Sequence, residues 1–151
     1  MKTSLVKQQA GASILEILVS ILILSIAVLA LGGLQAKSIA AASDAKYRVE
    51  ATTYADQMIG TMWADRANLA TYATFAAPAA AAWRTQVTAA LPGAAANAPT
   101  ITVTPVSLVV PGVAAPMNGN LVSVTVRWAP PGLPTGAPAH QVTVQSRIDN
   151  P

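Results

Sequence analysis

No charged residue stands between Glu16 and Lys37, and Leu, Ile, Val and Ala fill most of that interval. The run has roughly the 20 residues that a helix needs to cross a hydrocarbon core of about 30 Å. Its two serines, Ser20 and Ser25, can bond back to carbonyls one turn earlier. A membrane-spanning helix is therefore predicted. Past this run the spacing changes: Ala42, Ala45, Val49, Thr52, Ala55, Ile59, Met62 and Leu69 recur every three or four positions, with Arg66 as a polar interruption. This is the signature of one helical face, and Lys46, Glu50, Gln57 and Asp65 fall elsewhere, toward water. Proline is absent until Pro78, so one helix is predicted from Ser13 to about Asn68. Gly32-Gly33 is its weak point, at about 1 kcal/mol per glycine relative to alanine. Two readings of that pair stand: a bend or local melting, and close helix packing at two small residues. The amphipathic face is expected to cover a small sheet. Tyr47, Tyr54 and Trp63 read as core, with partner contacts as the alternative.

Residues 73–99 are rich in alanine and carry Pro78, Pro92 and Pro99. A short helix is predicted over 83–91 and a variable loop for the rest. After Pro99 the period becomes two. Val122, Val124, Val126 and Trp128 alternate with Ser123, Thr125 and Arg127, while Val142, Val144 and Ile148 alternate with Gln141, Thr143, Gln145 and Arg147. These are two half-buried strands, over 121–128 and 141–148. Residues 101–110 make a third, which Pro105 marks as an edge strand, a broken strand or two short ones. Met117-Asn118-Gly119-Asn120 supplies a turn before the second strand. The fold class is α+β: a long N-terminal helix, membrane-spanning in its first half and amphipathic in its second, packed on a small three- to four-stranded antiparallel sheet.

Composition narrows the function. The chain has 151 residues, 53% of them hydrophobic and only 10% charged. That is too apolar for disorder and high for a purely soluble protein. Lys2 and Lys7 precede the apolar run and favour a cytoplasmic N-terminus with an exported C-terminal part. They also supply part of the net charge of +3, and no Lys/Arg cluster exists, so nucleic acid is not expected as a partner. With no cysteine, disulfides and cysteine-ligated metals are excluded. A small exported domain then relies on packing and on neighbouring subunits. His140, the only histidine, is expected to be a solvated surface side chain at the start of the last strand. One histidine and six scattered carboxylates make a metal site improbable, and no cofactor is expected. There is no Gly-x-Ser-x-Gly elbow and no phosphate-cradling glycine loop, so an enzyme is not expected.

Glu16 is the residue that a plain membrane anchor does not need. An ionised acid at depth in a bilayer costs about 2.5–3.5 kcal/mol or more. An ordinary secretory signal also fits poorly, because its apolar stretch is about 7–15 residues and Ser38-Ile39-Ala40 is an unconvincing cleavage site. Instead, Gly11-Ala12-Ser13-Ile14-Leu15-Glu16-Ile17-Leu18-Val19 resembles the leader junction of type IV pilins and type II secretion pseudopilins. The resemblance implies a cut after Gly11 by a prepilin peptidase on the cytoplasmic side, so that the apolar helix survives in the mature protein. It divides the chain into a leader peptide (1–11), a transmembrane and assembly half of the helix (12–36), an amphipathic half (37–70) and a periplasmic head carrying the sheet (71–151). Glu16 is the fifth residue counted from Ala12, where the family pairs a glutamate with the free N-terminal amine of an adjacent subunit. That amine, with a pKa of about 8, is cationic at neutral pH. The pair neutralises two charges otherwise stranded in an apolar bundle, which makes it a register device. The family usually carries Phe after the cut; here Ala12 stands there and is the candidate for N-methylation.

Within that family, Ser25-Ile26, Leu31-Gly32-Gly33-Leu34-Gln35, Ala55-Asp56-Gln57-Met58-Ile59 and Met62-Trp63-Ala64-Asp65-Arg66-Ala67-Asn68 look like the minor pilins known as type IV pilus modification proteins. The likeness covers about the first 68 residues. It implies a subunit that primes or modifies pilus assembly at the inner membrane and passes into the fibre. Implied partners are the prepilin peptidase, other major and minor pilins, the inner-membrane assembly platform, and membrane lipid before assembly. Two alternatives stay open: a minor pseudopilin of a type II secretion system, and a single-pass membrane protein with a small periplasmic binding head.

Overall fold

The computed structural model describes residues 12–108, 117–134 and 136–149. The chain forms two compact units, one up to Ala42 and one from Ser43 onward. The first helix, α1 (Ala12–Ala64), supplies all of the described part of the first unit and the start of the second. It runs unbroken through Gly32 and Gly33, and a methyl group added at either would meet no atom within 4 Å. The helix is continuous at that pair, and nothing among the described residues packs against it.

α1 stops at Ala64, four residues short of the predicted end at Asn68. Asp65 leaves the helical dihedrals, at φ −118° and ψ 50°. Its Oδ1 accepts from Asn68 Nδ2 at 2.7 Å, and its Oδ2 accepts from the Tyr72 hydroxyl at 3.0 Å. A short carboxylate that bonds locally competes with helix propagation. A 3-10 turn, Arg66–Asn68, and a short helix, α2 (Leu69–Ala73), follow. Phe75 then adopts φ 57°, the left-handed region, as the chain leaves α2. That conformation costs a non-glycine residue about 1–2 kcal/mol. Stacking on Trp83, with ring centroids 6.5 Å apart, and the Arg84 guanidinium 5.1 Å above the Phe75 ring offset it.

The alanine-rich stretch is more ordered than expected. A third helix, α3 (Pro78–Ala90), begins with proline at its first turn, where no intrahelical N–H is needed. Ala80, Trp83 and Val87 lie on its buried face, with Ala77, Leu91 and Ala94 flanking. Trp83 Nε1 donates to the Tyr54 carbonyl at 2.9 Å. Ala77, Ala80 and Ala94 are packing residues, whereas Ala79, Ala81 and Ala82 face away from the core and are exposed.

Three strands form one antiparallel sheet in the order β1 (Thr100–Leu108), β2 (Met117–Trp128), β3 (His140–Asp149). β1 is an edge strand and stays continuous through Pro105, which pairs with Asn120. Met117-Asn118-Gly119-Asn120 is not a turn. It is the first part of β2, in register with Leu108, Ser107, Val106 and Pro105. The end of the predicted third strand at 109–110 lies outside the described residues. Val122, Val124, Val126 and Trp128 are fully buried, as their alternation predicted, and Ile148 joins them from β3. Against this face lie Ala51, Ala55, Met58, Ile59 and Met62 of α1. The predicted stripe was therefore one step out of phase at its start: Ala42 and Ala45 are exposed, and Val49 is 66% exposed. Tyr47 and Tyr54 pack partly into the core, whereas Trp63 is 43% exposed and donates through Nε1 to Ser146 Oγ at 3.2 Å.

Candidate functional site

Of the residues singled out in the sequence, Gly11 lies outside the described residues. Ala12 opens α1 and Glu16 follows four residues later. That interval is about one helical turn, so both positions share one face. Glu16 is exposed. Around and beyond it α1 is apolar on every side: Ile14, Leu15, Ile17, Leu18, Ile21 and Leu22 are each at least 55% exposed. The same holds further on, with Ile26, Leu29, Leu31 and Leu34 at 60% or more. A helix apolar on one stripe covers a core, while one apolar all round is surrounded by lipid or by other helices. Each large aliphatic side chain gains about 1.5–3 kcal/mol when taken out of water. This helix is long and apolar enough to cross a membrane, and none of its most apolar window is buried within the chain.

A second polar cluster went unforeseen. Asp44 on α1 receives Trp128 Nε1–H at 3.3 Å on the same Oδ1 that lies 2.7 Å from His140 Nδ1. Trp128 ends β2 and His140 opens β3, directly opposite in the ladder, and their rings meet edge to face at 5.7 Å. His140 is thus not the free surface side chain expected. It is about one-third exposed and paired with a carboxylate. The hydrogen bond from His140 holds the Asp44 carboxyl below its ordinary value of 3.8, with desolvation opposing and the Trp128 N–H and nearby Arg48 assisting. One signal was available in the sequence. Asp44 stands seven residues before Ala51 and fourteen before Met58, in phase with the buried face, where a lone carboxylate needs a partner.

Among the described residues no group of three or more His, Cys, Asp or Glu side chains is placed to hold a metal ion. No hydroxyl among them bonds His140. A groove of about 740 Å³ is lined by Leu69, Ala70 and Ala73 of α2, Val103 and Pro105 of β1, and Arg66 and Asn120. No protein-family model, curated protein or solved structure matches this chain.

Proposed function

We propose that this chain is a minor type IV pilin, a structural subunit that primes or modifies pilus assembly. What supports the reading is a helix apolar on all sides over residues 17–34, with one carboxylate, Glu16, a single turn from Ala12. In this reading a prepilin peptidase cuts between Gly11 and Ala12 on the cytoplasmic face. The mature helix is then held by inner-membrane lipid, with the head in the periplasm, until it enters a bundle of pilin helices. Lipid and neighbouring helices are both apolar, so transfer between them changes little hydrophobic free energy. Direction and register must come from polar terms. Glu16 supplies one by neutralising the α-amino group at Ala12 of an adjacent subunit, since breaking such a buried pair costs about 3–5 kcal/mol.

N-terminal mass spectrometry of the protein recovered from membranes, with and without active prepilin peptidase, tests this. The expected mature chain begins at Ala12 only when the peptidase is active, and the same spectrum reports methylation of Ala12. An intact segment 1–11 in the presence of the peptidase would refute the proposal and favour a single-pass anchor.

A further inference from the structure

Residues 43–50 are the part of α1 that belongs to the second unit but precedes its core, because the first fully buried side chain of the helix is Ala51. Ala45, Lys46, Arg48 and Val49 in this stretch are exposed. Tyr47 packs only partly against the core. The Lys46–Glu50 ion pair, at 3.7 Å, runs along the helix and ties it to nothing else. Among the described residues, the hydrogen bonds from this stretch to the sheet all converge on one atom, Asp44 Oδ1.

That atom joins three elements. His140 reaches it from β3, Trp128 reaches it from β2, and Arg48 adds positive charge from the next turn of α1. Because Trp128 and His140 are paired across the ladder, the carboxylate closes the end of the sheet at the point where β2 leaves and β3 returns. We propose that Asp44 is a latch: it holds residues 43–50 of α1 on the sheet, and its opening releases that stretch as a local unit while the core from Ala51 onward stays closed. Segments with few buried apolar contacts open at lower free energy than the global fold, and here a single ionised acceptor carries most of the difference. The latch is closed when Asp44 is ionised and bonded to both donors. It opens when that carboxylate is neutralised or His140 is removed. The inference concerns the isolated subunit and holds whether or not the chain assembles into a fibre.

Hydrogen exchange followed by mass spectrometry on the full chain in detergent micelles tests it. In Asp44→Asn, amide exchange within residues 43–50 should rise about tenfold or more, the factor expected for losing one hydrogen bond to a charged group. In the wild type, amides of 55–62 in α1 and 122–126 in β2 should exchange far more slowly than those of 43–50, because only 43–50 opens without unfolding the core. His140→Gln keeps the carboxylate and the Trp128 donor, and should give a smaller rise over the same stretch. Unchanged exchange over 43–50 in both variants would overturn the latch. So would wild-type exchange over 43–50 as slow as over 55–62 and 122–126, since that stretch would then open only together with the global core. If Asp44→Asn does not fold, the His140→Gln pattern alone decides between these outcomes.

Discussion

Replacing Gly93 with alanine should destabilise the head strongly, while the same replacement at Gly60 should stabilise it slightly. Gly93 has φ +68°, and an added methyl would lie 2.7 Å from Ala129 Cβ and 3.2 Å from Ala129 N. The neighbour cannot easily withdraw, because Ala129 N donates to the Pro92 carbonyl at 2.8 Å and fixes the two backbones together. Left-handed backbone costs alanine about 1–2 kcal/mol. Overpacking at a fixed contact adds about 1–3 kcal/mol. The sum, about 2–5 kcal/mol, is a large part of the roughly 5–15 kcal/mol that holds a domain folded. Gly60, by contrast, lies within α1 with no atom within 4 Å of a would-be methyl. Alanine there recovers about 0.5–1 kcal/mol of backbone entropy. Thermal unfolding of the full chain in detergent, followed by near-ultraviolet circular dichroism of Trp83 and Trp128, reads both. A domain of this size shifts its midpoint by about 4 °C or more per kcal/mol, so Gly93→Ala should lower it by roughly 8 °C or more and Gly60→Ala raise it by a few degrees. A Gly93→Ala midpoint within 2 °C of wild type, an interval chosen as roughly half a kcal/mol, would refute the close-approach argument.

On the pilin proposal, Glu16→Ala should leave cleavage after Gly11 intact but sharply reduce the protein in sheared fibres; normal pilus numbers containing the variant would remove the assembly role proposed for this carboxylate. Stability should depend on pH at both extremes. The lowered Asp44 carboxyl contributes stability in full above 3.8, and this is lost as pH falls through the lower folded value. Burial and the bond to Asp65 raise the Tyr72 phenol above 10.0, so the unfolded chain ionises first and stability falls as pH rises past 10.0. Urea titrations across the range read these two limbs, and Asp44→Asn and Tyr72→Phe should flatten the acid and alkaline limb respectively.

Much of this architecture is legible in the residues, and the exceptions have physical causes. Val122, Val124, Val126 and Trp128 announce their strand because large apolar side chains alternate with polar ones, and all four are fully buried. The apolar run of α1 is equally plain, since twenty residues without a charge have few other uses. The phase of the amphipathic stretch was harder. Alanine sits at positions 42, 45, 51 and 55, and so small a side chain marks a buried and an exposed position alike. Asn118-Gly119 carries the local signature of a turn, yet pairing of β1 with β2 across nine residue pairs outweighs that preference. The short helix expected over 83–91 begins earlier, at Pro78, because alanine at 79–82 carries no apolar period that would mark the first turn. For the candidate site, Glu16 stood out by its cost in an apolar run, whereas the Asp44–His140 contact joins residues 96 apart and is visible only once β3 folds back beside β2.

The burial pattern along α1 has a consequence for how this chain can vary over evolutionary time. Among the described residues every fully buried core side chain lies at or after Ala51, and before it only Tyr47 packs partly against the core. Selection on the first forty residues therefore acts through whatever surrounds them, and selection on the rest acts through folding. A lineage can exchange the exposed positions of the head while keeping its helical stem, provided that Ala51, Ala55, Met58 and Met62 still meet an apolar sheet. Such a division lets one stem carry many different heads.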